Sequence, residues 1–186
     1  MVRVVFKSYL FFVVLIYSCS NKSKNDNPSA QGEHLFTLLS HDSTHINFSN
    51  TLTEGPNTNV LMYEYFYNGG GVALGDLNGD GLDDIYFTSN MSDNKLYLNK
   101  GHLQFEDITT IAGVENRKAP WRTGVTIADI NGDSKPDIFV SYSGKVRGEN
   151  RINQLFINAG NDDKGIPHFN EQASQFGLAD SAFSTQ

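Results

Sequence analysis

A chain of 186 residues with 14 Lys+Arg against 21 Asp+Glu carries a net charge of −7, and no basic patch in it suits a nucleic-acid partner. Its one cysteine excludes an intrachain disulfide, and it holds no zinc signature, no Ser/His/Asp arrangement with local context and no phosphate-cradling glycine loop ahead of a helix. Glycine is abundant and proline modest, as hairpin-rich β structure requires, and no later stretch keeps a convincing 3.6-residue apolar period.

In chain order, residues 1–18 read as an export signal. Arg3 and Lys7 supply a positive start, and an unbroken apolar run extends from Tyr9 to Tyr17. That run is far shorter than the ~20 residues a membrane-spanning helix needs. Small Ser18 then precedes Cys19. Ile16-Tyr17-Ser18-Cys19 resembles the bacterial lipobox, in which the cysteine is lipidated and becomes the first mature residue. The alternative is ordinary secretion that leaves a free thiol. Removing residues 1–18 takes away Arg3 and Lys7 and no acid, so the net charge falls from −7 to −9. Residues 19–33 are almost devoid of apolar side chains and form a flexible tether with a reach of roughly 20 Å. The expected location is therefore the bacterial cell envelope, lipid-anchored, at the outer membrane.

Residues 34–67 are expected to supply an amino-terminal strand segment. In Met62-Tyr-Glu-Tyr-Phe-Tyr67, alternation would place Tyr63, Tyr65 and Tyr67 on one face of a strand. Such a face can stack on sugar rings, but packing inside the sheets is the favoured reading. His41 and His45 flank Asp42 at a spacing that would suit a metal on a helix, yet Ser43, Thr44 and Ile46-Asn47-Phe48 argue for a strand or turn. The Gly69-Gly70-Gly71 run precedes a strand and reads as a place where backbones crowd. Trp121 and Arg122, ahead of the second copy of the repeat described next, read as core packing with a cation–π partner.

Two loops dominate the remainder. Asp76-Leu-Asn-Gly-Asp-Gly-Leu-Asp-Asp84 and Asp129-Ile-Asn-Gly-Asp-Ser-Lys-Pro-Asp137 both place acid or amide oxygens at loop positions 1, 3, 5 and 9. Ca²⁺ takes 6–8 oxygen ligands at about 2.3–2.6 Å, and a loop of this kind can supply most of them. The expected ligands are Asp76, Asn78, Asp80 and Asp84 with the carbonyl of Leu82, then Asp129, Asn131, Asp133 and Asp137 with the carbonyl of Lys135. Asp83 faces solvent. Gly81 suits a left-handed turn, whereas Ser134 at the matching place costs roughly 1–2 kcal/mol, which makes the second site the weaker. Position 12 is Phe87 or Val140 in place of a bidentate Glu, which excludes an EF-hand. Magnesium demands a stricter octahedron, and zinc and copper prefer nitrogen or sulfur. The competing reading is that each loop is only a polar hairpin turn.

Both loops sit inside a longer repeat. Gly71-Val-Ala-Leu-Gly-Asp76 matches Gly124-Val-Thr-Ile-Ala-Asp129, Asn94-Lys-Leu-Tyr-Leu-Asn99 matches Asn153-Gln-Leu-Phe-Ile-Asn158, and Phe105-Glu106 matches Phe169-Asn170. The first copy predicts four strands near 71–75, 84–89, 94–99 and 104–108. The fold class is therefore all-β, in propeller blades of four antiparallel strands, with blade 1 over 68–120, blade 2 over 121–179 and a further blade opening at 180–186. Propellers have 4–8 blades, so the chain reads as part of a longer propeller; closure of a ring by several chains is the alternative.

Gly71 to Tyr86, read whole, resembles an FG-GAP repeat, also called a VCBS repeat. With Tyr67-Asn-Gly-Gly-Gly71 before the loop and Phe105-Glu-Asp-Ile-Thr-Thr-Ile-Ala-Gly-Val114 after it, the pattern is similar to bacterial relatives of cartilage acidic protein. The resemblance covers roughly residues 34–186. It implies a propeller, calcium in the blade loops and a binding or adhesive role toward protein or glycan, with no reaction. Ser134 departs from the pattern. The rival expectation is an envelope enzyme, for instance one acting on polysaccharide, whose catalytic part lies outside this sequence; a structural spacer is a third.

Overall fold

The computed structural model describes residues 35–118, 121–144 and 151–182. The signal segment, Cys19, the tether and residues 183–186 of the expected further blade lie outside them. The chain divides into two compact units, Met1–Leu38 and Leu39–Gln186. Of the first, residues 35–38 are described, and they are exposed. Everything below concerns the second.

Among the described residues, that unit holds two four-stranded antiparallel sheets. The first runs β1 (Val72–Gly75), β2 (Asp84–Phe87), β3 (Lys95–Asn99), β4 (Phe105–Asp107), each strand beside its sequence neighbour. The second runs β5 (Arg122–Ala128), β6 (Asp137–Tyr142), β7 (Gln154–Asn161), β8 (Pro167–Glu171) in the same order. Gly75 pairs with Asp84 and Ala128 with Asp137, so each acidic loop is the connection between the first two strands of its sheet. This is the blade architecture that the repeat predicts.

Alternating side chains determine how the sheets meet. Tyr86, Leu96 and Leu98 share one face of the first sheet, and Ile138, Val140, Tyr142 and Phe156 share one face of the second. These residues form a single buried core with Leu77, Ile108, Val114 and Phe169. Period-two alternation is what lets a strand give one face to this core. The first strands approach closely. A Cβ on Gly71 would stand 2.8 Å from the backbone nitrogen of Val125, and one on Gly75 would stand 2.9 Å from Ile127 Cγ2. A Cβ on Gly70 would overlap the carbonyl of Thr88, while Gly69 meets nothing. The crowding expected of the triple glycine therefore falls on Gly70 and Gly71.

Residues 35–67 correct the sequence reading. No strand forms there among the described residues; Gly55 and Thr58 make one isolated bridge, and the rest is turns and a single helical turn, α1 (His41–Thr44). Ser40 caps α1 by accepting from the amide of Ser43, and His45 ends it at φ 61°. Tyr63, Tyr65 and Tyr67 do not share a strand face. Tyr63 and fully buried Phe66 instead turn inward onto Trp121, with ring centroids 5.0 and 5.2 Å away, while Tyr65 and Tyr67 stay exposed. Burying Phe66 against an indole outweighs the alternating pattern. Phe48 stacks on Phe87 at 4.7 Å, covering part of the outer face of the first sheet. A second helical turn, α2 (Thr109–Ala112), follows β4 and ends on Gly113 at φ 75°.

Candidate metal centre

The first loop is wound around Asp76. Its Oδ1 accepts from the amides of Gly79 at 2.7 Å and Asp80 at 3.0 Å, and its Oδ2 accepts from Gly81 at 2.8 Å. Asn78 Oδ1 accepts from the amide of Asp80 at 3.1 Å, and Asp80 Oδ1 accepts from Leu82 at 2.9 Å. Each acid or amide at positions 1, 3 and 5 thus folds back on amides ahead of it, as short polar side chains do in turns. Gly79 and Gly81 take φ 78° and 85°, and Asp83 is exposed, as expected.

The second loop repeats this bond for bond. Asp129 accepts from Gly132 at 2.7 Å, Asp133 at 3.1 Å and Ser134 at 2.9 Å; Asn131 accepts from Asp133 at 2.9 Å; Asp133 accepts from Lys135 at 2.9 Å. Ser134 is forced to φ 67°, the left-handed conformation that glycine adopts in the first copy.

The ninth position behaves differently from the others. Asp84 and Asp137 are fully buried. Asp84 accepts from the amides of Leu77 at 3.0 Å and Asn99 at 2.8 Å, while Asp137 accepts from Ile130 at 2.9 Å and Asn158 at 2.8 Å. Both carboxylates therefore tie the start of the loop to the third strand of their sheet. Burial pushes the Asp84 carboxyl up to about 6, with the two amides pulling down and Asp80 and Asp76 adding to the rise. Asn99 and Asn158 complete the tie, with side-chain amides donating to the carbonyls of Asp83 at 2.9 Å and Pro136 at 3.2 Å.

The loops differ at four positions, Leu77/Ile130, Gly81/Ser134, Leu82/Lys135 and Asp83/Pro136, and the middle two bear on ion binding. Where the first has Gly81-Leu82, the second has Ser134-Lys135. The Lys135 ammonium lies 3.5 Å from Asp133 Oδ2, inside the second loop. The amide of Lys135, then the Asn131 side chain and the Lys135 ammonium, hold the Asp133 carboxyl below its usual range. A built-in cation thus faces the oxygens a metal would use.

The donor chemistry of both loops fits a hard divalent cation: oxygen alone, drawn from carboxylates and amides, with one carboxylate of each loop buried. The carboxylates as placed are turned onto loop amides. Among the described residues, no three His, Cys, Asp or Glu side chains stand as a ready metal cage. Asp76 Oδ1 and Asp129 Oδ1 each accept two amides, while the other oxygen of each carboxylate accepts one and keeps a lone pair, so ligation asks for side-chain rotation within the loop while the backbone keeps its course. Asp76, Asn78, Asp80 and Asp84, with the Leu82 carbonyl, would hold the ion in the first loop. Asp129, Asn131, Asp133 and Asp137, with the Lys135 carbonyl, would hold it in the second.

Residues 76–140 match the FG-GAP-like repeat family. That stretch, which holds both acidic loops, is FG-GAP-like. Cartilage acidic protein 1 of Xenopus tropicalis is 33% identical over 102 residues, which are 54% of this chain and 16% of that protein. The chain therefore spans a small part of the relative's length. FG-GAP-like repeats build propeller modules that bind other molecules, proteins in general, and are typically non-enzymatic.

The other sequence candidates fall away from the site. Arg122 lies within β5, with Nε donating to Asn94 Oδ1 at 3.2 Å and a terminal nitrogen donating to the carbonyl of Ser92. His41 pairs with Asp42 at 2.9 Å on the exposed surface. Sequence reasoning placed the hairpin between β7 and β8 but missed that it touches the first loop through Asn158, Asn161 and Gly165. The available signal was that Asn99 recurs as Asn158.

Proposed function

We propose that this chain is a calcium-stabilised binding module of the bacterial cell envelope. It takes one Ca²⁺ per acidic loop, is anchored through lipidated Cys19 at the outer membrane, and offers propeller loops to a protein or glycan partner. No catalytic role is assigned to it, and no nucleic acid or small-molecule cofactor enters the reading. The observation that carries it is the pair of loops, alike in every backbone-to-side-chain bond made within the loop, each closing the first hairpin of its sheet. A hairpin needs no such concentration of acids, and a divalent ion offsets their repulsion. Weak calcium sites of about 10⁻⁴–10⁻³ M suit an exported module. The amino-terminal apolar run and Ser18-Cys19 support the anchor.

Three experiments test the reading. Calcium titration of the purified chain is expected to saturate at one ion per loop and to raise the melting temperature, reversibly with a chelator. A fatty-acid probe is expected to label the expressed protein and to be lost in Cys19→Ala. A pull-down from envelope extracts is expected to retain a partner with calcium and release it on chelation. No bound calcium, or labelling that persists in the variant, contradicts the corresponding part.

A further inference from the structure

The two loops differ most in what reaches them from outside. Between the aligned pairs Asn99/Asn158 and Phe105/Phe169, the first sheet has residues 100–104 and the second has residues 159–168. The longer connection lets β7 continue to Asn161, past a register shift between Asn158 and Gly160, with Gly160 at φ 97°. A bulge of this kind bends the strand end. Beyond it the tip is held by Asp162, which accepts from the amides of Lys164 at 2.8 Å and Ile166 at 3.0 Å, and Ile166 is buried in the core between the sheets.

This built hairpin folds over the first acidic loop. Asn158 Nδ2 donates to the carbonyl of Leu77 at 2.9 Å, and Asn161 Nδ2 donates to the carbonyl of Asn78 at 2.6 Å. In return, Asn78 Nδ2 donates to the carbonyl of Gly165 at 3.3 Å. The amide nitrogen of Asn78 is shared between Asp80 Oδ2 inside the loop, at 3.0 Å, and the hairpin outside it, and its oxygen accepts from the amide of Asp80. The second loop has no counterpart: among the described residues, Asn131 engages only its own loop.

We infer that Asn161 and the β7–β8 hairpin are positioning elements for the first metal loop, so that ion binding at Asp76–Asp84 and docking of the second sheet are a single coupled event. The inference rests on the calcium reading above. Partners of ligands fix ligand orientation, and their loss weakens a metal site without removing a ligand. The second loop is tied to β7 at Asn158 but takes no bond from Asn161, so its ion binding does not depend on Asn161.

The test separates the loops. Asp129→Asn with Asp133→Asn leaves only the first site, and Asp76→Asn with Asp80→Asn leaves only the second. Asn161→Ala is placed in each background and calcium affinity is measured by calorimetry, with terbium luminescence as a spectroscopic check. The expected result is about three- to tenfold weaker binding at the first site, the scale of one hydrogen bond, and no change at the second. Circular dichroism checks folding; if Asn161→Ala is poorly folded, Asn161→Ser supplies the same loss of reach. Unchanged affinity at the first site, or equal weakening at both, overturns the coupling while leaving calcium binding intact. Absence of calcium binding in the parent chain overturns the calcium reading and this inference with it.

Discussion

The loop after β1 and the loop after β5 have the same backbone-to-side-chain hydrogen bonds, and both end on a buried aspartate that ties the loop to the third strand. Among the described residues, three differences bear on ion binding. Gly81 is replaced by Ser134 in a left-handed conformation, Leu82 by Lys135 with its ammonium against Asp133, and only the first loop is clasped by a hairpin from the other sheet. The shared part is what the fold needs: a connection wound tightly enough to bring β1 onto β2 and β5 onto β6. The divergent part sets what the loop does with an ion. All three differences favour the first site, through lower backbone strain, no competing cation and external orientation of a ligand.

The comparison can be broken most forcefully at its common feature. Asp84→Ala and Asp137→Ala each leave two backbone amides without their acceptor, and each is expected to cost about 2–4 kcal/mol of stability in chelator. Denaturant unfolding measures this; a large loss in only one variant would show that the two anchors are not equivalent. Next in size is ion binding itself. Asp80→Ala and Asp133→Ala are each expected to remove one ion per chain, with Asp80→Ala losing the tighter one and lowering the calcium-loaded melting temperature more. Tighter residual binding in Asp80→Ala than in Asp133→Ala would reverse the ranking.

Smaller effects sharpen the differences one at a time. Ser134→Gly relieves the left-handed strain and is expected to stabilise the chain by about 1 kcal/mol in thermal unfolding without calcium. Gly81→Ser is expected to do the opposite. Lys135→Leu removes the internal cation and is expected to tighten the second site by roughly two- to fivefold, the range of an exposed ion pair. A fall in affinity would mean that Lys135 supports the loop instead of competing for it.

Much of the fold was legible because its information is local. Alternation in Ile85-Tyr86-Phe87 and Ile138-Phe139-Val140, with Asn, Gly and Asp between the runs, locates strands and turns directly, and the left-handed conformation of Gly81 and Ser134 followed from loop spacing, while that of Gly79 and Gly132 was not anticipated. What failed was also local in appearance. Tyr63, Tyr65 and Tyr67 alternate as a strand would, but Phe66 and Tyr63 have a better use against Trp121, far away in sequence. The anchoring of Asp84 and Asp137 was hidden because their partners, Asn99 and Asn158, arrive from the third strand. The clasp was hidden for the same reason: no spacing rule connects Asn161 to Asn78, and only the docking of two sheets brings them within 2.6 Å.

The most direct measurement of the central claim is a calorimetric calcium titration of the purified chain, paired with thermal melts in calcium and in chelator. The account expects two ions per chain, the tighter lost with Asp80→Ala, and a melting temperature that falls on chelation. A chain that takes up no calcium and melts at the same temperature in chelator would contradict it.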